Sequence, residues 1–162
     1  MKDVRRETHN IPPVYDPDSK VLILGSFPSP KSREQRFFYA HPKNRMWRLL
    51  SAVFGEEQPV TIEEKRALLI NHHIAMWDVV GSCEIKGAAD TSIKQATAND
   101  FSVIFGAAEI REVFTTGRAA TELYERLTGK VSRMLPSPSP ANCAAAFETL
   151  LKEYAVLKNY LD

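Results

Sequence analysis

The stretch "KVLILG" (residues 20–25) decides the fold class of this chain. Its continuous apolar run is too short for a buried helix and does not alternate, so it predicts a strand buried on both faces, as in a parallel sheet. The segment 74–80 is another buried-strand candidate, and 111–117 and 131–136 are predicted to be short strands. The sequence therefore predicts four short strands.

Helical patterns separate these strands. They cover 44–55 with Asn44 as cap, 61–73 with Thr61 and Glu64 at capping-box spacing, 99–108, 118–129 ending at Gly129, and a final helix of up to about 20 residues after a proline-rich turn. This alternation predicts a three-layer α/β/α sandwich around a mostly parallel four-stranded sheet. Residues 81–98 are expected to be a loop and 1–19 an irregular arm, within a single domain over 1–162.

Composition limits the function classes. The 162 residues are 44% hydrophobic and 25% charged with a net charge of +1, so any nucleic-acid-binding surface must be local. The two cysteines, Cys83 and Cys143, are too few for a four-cysteine metal site, and we expect no metal and no cofactor. No signal segment or membrane-length apolar run occurs, which favours a soluble cytoplasmic protein, and nothing demands more than a monomer.

Ligands of such sheets bind at the carboxyl ends of the strands. The loop after the first strand leads into "FFYAHPKNRMW" (37–47), which combines aromatic residues with cations. We expect Phe37 and Phe38 to hold this loop down and Trp47 to anchor the next helix. Between residues 31 and 48 one acid, Glu34, faces six cations: Lys31, Arg33, Arg36, Lys43, Arg45 and Arg48. This is a local basic surface suited to phosphates.

One nucleotide-binding pattern is nearly matched. "GSFPSPKS" (25–32) follows a strand, as a phosphate-binding loop should, but Pro30 replaces the second glycine and Pro28 removes another backbone N–H donor. No helix pattern begins at Lys31. A nucleotide phosphotransferase therefore remains the weakest alternative, and tight ATP binding would support it.

Three motifs, "GSFPS" (25–29), "YAHPKNRMW" (39–47) and "LPSPSPAN" (135–142), occur in an order and at strand ends that resemble the uracil-DNA glycosylase superfamily. The chain is most similar to its hypoxanthine-DNA glycosylase (DNA-deoxyinosine glycosylase) family, with mismatch-specific uracil-DNA glycosylases next. "WDVVGSCEIKGAADTSI" (77–93) also resembles the former family's middle segment. The resemblance spans about residues 20–145.

The resemblance implies a monofunctional DNA repair glycosylase. Such an enzyme flips a deaminated base, hypoxanthine above all, out of DNA and hydrolyses its N-glycosidic bond to leave an abasic site. No lysine is placed for Schiff-base chemistry, so strand cleavage is not expected. A uracil or mismatch-specific glycosylase is one alternative. A non-catalytic nucleic-acid-binding domain on the same scaffold is another.

The departures from the superfamily pattern direct attention to Asn44. Phe27 stands where many members carry an Asp or Asn that orients water, Ser26 where another branch is acidic, and Leu135 where several carry His or Asn. In the hypoxanthine family the asparagine equivalent to Asn44 is implicated, which makes it the catalytic candidate. An amide is not basic, so its oxygen would orient water or its NH₂ would donate to the base.

The remaining site residues follow from the resemblance and from the strand ends. Tyr39 aligns with the aromatic that stacks the extruded base, whereas His41 and Asp78 are equally compatible with structural roles. The predicted substrate-binding residues are Gly25, Ser26, Phe27, Pro28, Tyr39, His41 and Asp78. The predicted DNA contacts are Lys43, Arg45, Ser137, Ser139, Ala141 and Asn142. Serine hydroxyls and a helix start after Pro140 would bind phosphate, while Ala141 and Asn142 would fill the vacated stack.

Overall fold

A computed structural model describes residues 4–86 and 92–162. The strands are β1 (Val4–Thr8), β2 (Val21–Gly25), β3 (Ile74–Asp78), β4 (Val80–Lys86), β5 (Lys94–Ala98), β6 (Glu112–Thr116) and β7 (Arg133–Leu135). The helices are α1 (Pro30–Gln35), α2 (Met46–Val53), α3 (Ile62–Asn71), α4 (Ser102–Phe105), α5 (Arg118–Thr128) and α6 (Phe147–Tyr154), followed by a 3-10 helix (Ala155–Tyr160). No helix in these two ranges is both long and apolar enough to cross a membrane.

The central sheet confirms the predicted fold class. Its strand order is β3-β2-β6-β7 and all its strand pairs are parallel. Every residue of β2 and β3 is buried, so both faces of the sheet are covered, as their continuous apolar sequences require. The chain leaves β2 towards β3 on one side and later returns to β6 on the other. The ends of β2, β3 and β6 therefore meet where the strand order reverses, which is where such sheets bind ligands.

The predicted helix signals are confirmed at α3 and α5. The Thr61 hydroxyl accepts from the Glu64 N–H at 3.1 Å, and the Glu64 carboxylate accepts from the Thr61 N–H at 3.0 Å. The backbone N–H of Thr61, with its hydroxyl, lowers the pKa of Glu64. Helix α5 ends at Gly129, whose φ of +73° is one that glycine adopts without strain.

A second sheet corrects two predictions. Strands β1, β4 and β5 form an antiparallel sheet, so the arm 1–19 is not wholly irregular and the expected loop 81–98 contains two strands. Register shifts between β4 and β5 interrupt the alternation of apolar residues, which hides both strands in the sequence. Residues 87–91, part of that expected loop and of the segment 77–93, lie outside the described residues.

Two helix boundaries also differ from prediction. Helix α1 begins at Pro30, where no helix was expected, because proline suits a first helical position and the Ser29 hydroxyl accepts from the Ser32 N–H. The last helix begins at Phe147 rather than just after Pro140, and it becomes a 3-10 helix after eight residues. Helix α2 begins at Met46, and the predicted cap Asn44 accepts from the Met46 N–H at 2.9 Å.

Candidate active site

A cavity of about 300 Å³ opens at the carboxyl ends of β2, β3 and β6. This is the small end of the range for ligand sites. The structure brings most of the predicted site residues to its wall: Gly25, Ser26, Phe27, Pro28, Tyr39, His41, Asn44, Asp78, Ser137, Ser139 and Ala141. Lys43, Arg45 and Asn142 do not line it. Segments distant in the sequence thus converge on one pocket.

Gly25 forms part of the pocket wall at the end of β2. A Cβ added there would lie 2.6 Å from Asp78 Oδ1 and 3.1 Å from the Tyr39 hydroxyl. The first distance is shorter than any ordinary contact, so a larger residue would displace the carboxylate. Glycine at this position lets two polar groups from other segments approach the strand end.

Aromatic residues of the 37–47 segment and Phe27 lie both in the core and at the pocket wall. Phe37 and Phe38 are buried, and Phe37 stacks on Trp47 with ring centroids 5.7 Å apart. Both therefore hold the loop, as predicted. Phe27, Phe38 and Tyr39 line the pocket, so Phe38 belongs to both groups. The Tyr39 hydroxyl lies 3.0 Å from Thr116 Oγ1. This hydrogen bond ties the 37–47 segment to the end of β6.

Asn44 enters the pocket from a tight turn. Its backbone N–H donates to the His41 carbonyl at 2.9 Å, and the Lys43 N–H donates to His41 Nδ1 at 3.0 Å. Since only an oxygen can accept from the Met46 N–H, the orientation of the Asn44 amide is determined. Within the described residues Nδ2 has no hydrogen-bond partner. The NH₂ group is therefore available to a ligand.

A residue that the sequence did not reveal lies behind the pocket wall and contacts Asp78. His9 Nε2 lies 2.8 Å from Asp78 Oδ2, and the two side chains are only 3% and 6% exposed. The imidazole makes edge-to-face contacts with the rings of Phe27 and Trp77, whose centroids lie 6.1 and 6.0 Å from its own. Nothing in a polar arm marks this histidine, because its partner is 69 residues away.

Arg45, a predicted phosphate contact, makes its hydrogen bonds inside the protein. Its guanidinium turns into the protein and donates at 2.8–3.4 Å to the carbonyls of Pro138, Ser139, Asn142 and Ala145. These bonds hold the 138–145 segment in an irregular loop, so no helix N-terminus follows Pro140. Arg45 thus positions the loop beside the pocket.

The loop after β7 is braced by its own side chains as well. The Ser137 and Ser139 hydroxyls accept from the backbone N–H groups of Ser139 and Ala141, at 3.2 and 3.1 Å. The Asn142 NH₂ group donates to the Ser137 carbonyl at 3.0 Å, so this amide also helps to hold the loop. Both hydroxyls keep a hydrogen to donate, and Ala141 remains exposed at the rim.

A buried tyrosine supports the start of this loop. The Tyr154 hydroxyl donates to the Pro136 carbonyl at 2.7 Å. Burial raises the pKa of Tyr154 well above its ordinary value, so the hydroxyl remains a neutral donor. In the described residues no three or more His, Cys, Asp or Glu side chains cluster as metal ligands would.

Comparison with known proteins relates this geometry to a class. Residues 12–161 match the Uracil DNA glycosylase superfamily. A hypoxanthine DNA glycosylase from Methanosarcina barkeri is 35% identical over 136 residues, covering 81% of this chain and 85% of that protein. Its counterpart from Methanosarcina acetivorans is 36% identical with the same coverage. A solution NMR structure from M. acetivorans, described as a candidate uracil DNA glycosylase, superposes with a TM-score of 0.75 at 31% identity, covering 91% of this chain and 96% of that one.

The parallel sheet with a pocket at its strand ends is thus the scaffold of a DNA glycosylase. The chain belongs to the uracil DNA glycosylase superfamily, in the branch that contains the hypoxanthine DNA glycosylases. This confirms the family that the three motifs indicated. It also removes the nucleotide phosphotransferase from consideration.

Proposed function

We propose that this protein releases hypoxanthine from DNA by hydrolysing its N-glycosidic bond, leaving an abasic site. The observation that carries the proposal is the Asn44 amide, which reaches the pocket with its oxygen bound to Met46 and its NH₂ group available. The names of the two Methanosarcina relatives support hypoxanthine as the base.

Extrusion would place the base between the aromatic walls of the pocket. Tyr39 and Phe27 would offer stacking surface, worth about 1–3 kcal/mol per base in other nucleic-acid sites. Tyr39 is fixed by its bond to Thr116, so this surface exists before the base arrives. A preformed wall reduces the ordering cost of binding.

Cleavage of the bond between C1′ and N9 develops positive charge on the sugar and negative charge on the base. The Asn44 NH₂ group would donate a hydrogen bond to the departing base, while water adds to C1′ and its proton passes to the base or to solvent. One donor aimed at developing charge is worth about 100- to 1,000-fold in rate. No lysine is among the described residues of the pocket wall, which is consistent with hydrolysis rather than Schiff-base chemistry.

The DNA strand would lie along the rim. Lys43 is exposed beside the Asn44 turn, and the Ser137 and Ser139 hydroxyls face the same pocket. These groups would bind the flanking phosphates, and Ala141 would occupy the gap that the base leaves. Arg45 would contribute indirectly by holding the loop.

The test uses oligonucleotides that contain hypoxanthine, uracil, xanthine or no lesion, followed by alkaline cleavage. Wild-type protein should break the hypoxanthine strand, and Asn44→Ala should lower the single-turnover rate about 100- to 1,000-fold without loss of DNA binding. Asn44→Asp is the matched variant, because it keeps an acceptor for the Met46 N–H but has no NH₂ donor. It should be as slow as Asn44→Ala.

Each other outcome has a definite meaning. A fast Asn44→Asp variant would assign the oxygen of Asn44 to water orientation instead. Breaks only at uracil would move the substrate to the uracil alternative. Binding without breaks on any lesion would favour a non-catalytic domain.

A further inference from the structure

Asp78 is a buried acid in the pocket that the mechanism above leaves without a task. Asp78 is only 4% exposed, yet it lines the cavity at the end of β3. A carboxylate withdrawn from water is stable only if both oxygens find partners. Its environment therefore points to a ligand that completes it.

The two carboxylate oxygens are in different situations. Oδ2 is bound to His9 at 2.8 Å. Oδ1 lies over Gly25, where a Cβ would approach it to 2.6 Å, and it has no hydrogen-bond partner among residues 4–86 and 92–162. One oxygen is thus held by the protein, and the other lies beside Gly25 at the cavity wall, where a ligand can reach it.

The protonation of His9 follows from its second contact. The Ile11 N–H donates to His9 Nδ1 at 3.3 Å, so Nδ1 carries a lone pair and Nε2 carries the hydrogen. The neutral imidazole donates that hydrogen to Asp78 Oδ2. The rings of Phe27 and Trp77 prevent the imidazole from rotating away, and His9 itself is anchored by its backbone N–H, which donates to the Gly81 carbonyl at 2.7 Å.

An acceptor fixed in this way matches one chemical feature of deaminated bases. Adenine presents a lone pair at N1, whereas hypoxanthine presents N1–H. Cytosine and uracil differ in the same way at N3. We propose that Asp78, positioned by His9, reads the ring N–H that deamination creates, so that the pocket accepts hypoxanthine and rejects adenine. This proposal rests on the function proposed above.

The selectivity follows from the free-energy cost of placing the wrong base edge against Asp78. Hypoxanthine would complete Asp78 Oδ1 with a hydrogen bond, whereas adenine would bring a lone pair against a buried carboxylate. The negative charge of cleavage develops mainly at the imidazole nitrogens N9 and N7, which lie on the other ring from N1. Guanine also carries N1–H, so this contact separates hypoxanthine from adenine and not from guanine.

The experiment measures base binding as well as turnover. Free hypoxanthine and free adenine are titrated against the protein with an abasic-site oligonucleotide and followed by ligand-observed NMR. Wild type should bind hypoxanthine at least about 10-fold more tightly than adenine, and Asp78→Asn should bring the ratio close to one, because an amide can either donate or accept. The single-turnover rate on hypoxanthine should fall about 10- to 100-fold in Asp78→Asn.

Two substitutions of His9 test its positioning role. His9→Phe keeps an aromatic ring in the same surroundings without a donor and should reproduce the loss seen in Asp78→Asn. His9→Gln restores a donor to Oδ2 and should recover most of the base preference. Thermal unfolding of each variant identifies any that does not fold, and His9→Gln and Asp78→Asn then decide the question.

The contradicting results are equally specific. No preference in wild type, or an unchanged preference in Asp78→Asn, would overturn the proposal, and a slower Asp78→Asn with unchanged preference would assign Asp78 to water or sugar. A His9→Phe variant with wild-type behaviour would remove His9 from the role. If wild type releases no base, the proposed function fails, while the NMR comparison still decides what Asp78 recognises.

Discussion

At the scale of single residues, the pocket depends on how closely side chains can approach the end of β2. Gly25 permits that approach, and Asp78 and Tyr39 use it. The motif that begins with Gly25 therefore marks the site because of the space it leaves. Its first position must be small because a carboxylate and a phenol from other segments converge on it.

Gly25→Ala should disable the site while preserving the fold. The added Cβ, 2.6 Å from Asp78 Oδ1, must move the carboxylate, and misplacement by about 1 Å can cost about 100-fold in rate. Single-turnover assays on hypoxanthine should show that loss, and circular dichroism should show an unchanged spectrum. A rate within threefold of wild type would mean that Asp78 can shift without consequence.

Some residues of the site could be predicted from the sequence, and His9 could not. Asp78 was placed at the binding edge because it ends a predicted strand, whereas Asn44 was predicted as a helix cap and became a site candidate through the resemblance to the hypoxanthine family. His9 could not be found in this way. Its role depends on the pairing of β1 with β4, and neither strand carries a clear pattern of alternation.

At the scale of elements, one arginine connects the start of α2 to the loop after β7. Both the backbone and the side chain of Arg45 donate to the Pro138 carbonyl, and the side chain reaches three further carbonyls. The predicted phosphate contact of Arg45 stays a prediction, but its guanidinium is already bound to loop carbonyls. Local charge in the sequence does not reveal which carbonyls a folded loop leaves without partners.

Arg45→Lys should loosen the loop. Lysine cannot span these carbonyls, so we expect a loss of about 2 kcal/mol in the free energy of unfolding and a weaker grip on DNA. Urea denaturation and an oligonucleotide-binding assay would measure both. The control is Arg126→Lys, an exposed position in the last turn of α5, which should change neither. Equal stability of the two variants would contradict the proposed brace.

The same scale explains where the predicted helices failed. The segment 140–146 does not form a helix for two reasons. Arg45 donates to the Asn142 and Ala145 carbonyls, and the first buried residue of α6 is Leu150, so no earlier residue packs a helix against the core. By contrast, α3 and α5 were predictable, since capping boxes and glycine ends act within a few residues. The local signals of α3 and α5 were read correctly and those of α1 were missed, while long-range hydrogen bonds were not visible in the sequence.

At the scale of the whole molecule, the two edges of the central sheet have different tasks, which the net charge of +1 does not show. The pocket and Lys43 lie at the carboxyl edge of the sheet. The chain's C-terminus lies at the opposite edge, where Lys20 donates to the Leu161 carbonyl at 3.2 Å and Arg111 to the Tyr160 carbonyl at 3.1 Å. Only the former edge is expected to meet DNA.

Lys43→Ala should therefore weaken DNA binding by a similar factor for every lesion. Loss of one phosphate contact should reduce the slope of log affinity against log salt by about 1. Fluorescence anisotropy at several salt concentrations would measure the slope. Lys158→Ala, on the 3-10 helix at the opposite edge, should leave it unchanged. A slope altered equally by both variants would argue against a DNA face beside the pocket.

The N-terminal strand β1 and His9, which follows it, lie at the edge of the region that matches the superfamily. The match to the superfamily begins at residue 12, so β1 and His9 precede the matched region. The segment that follows β1 nevertheless supplies the hydrogen bond that holds Asp78, a residue of the pocket wall. The base preference proposed for Asp78 therefore depends on a residue that lies outside the matched region.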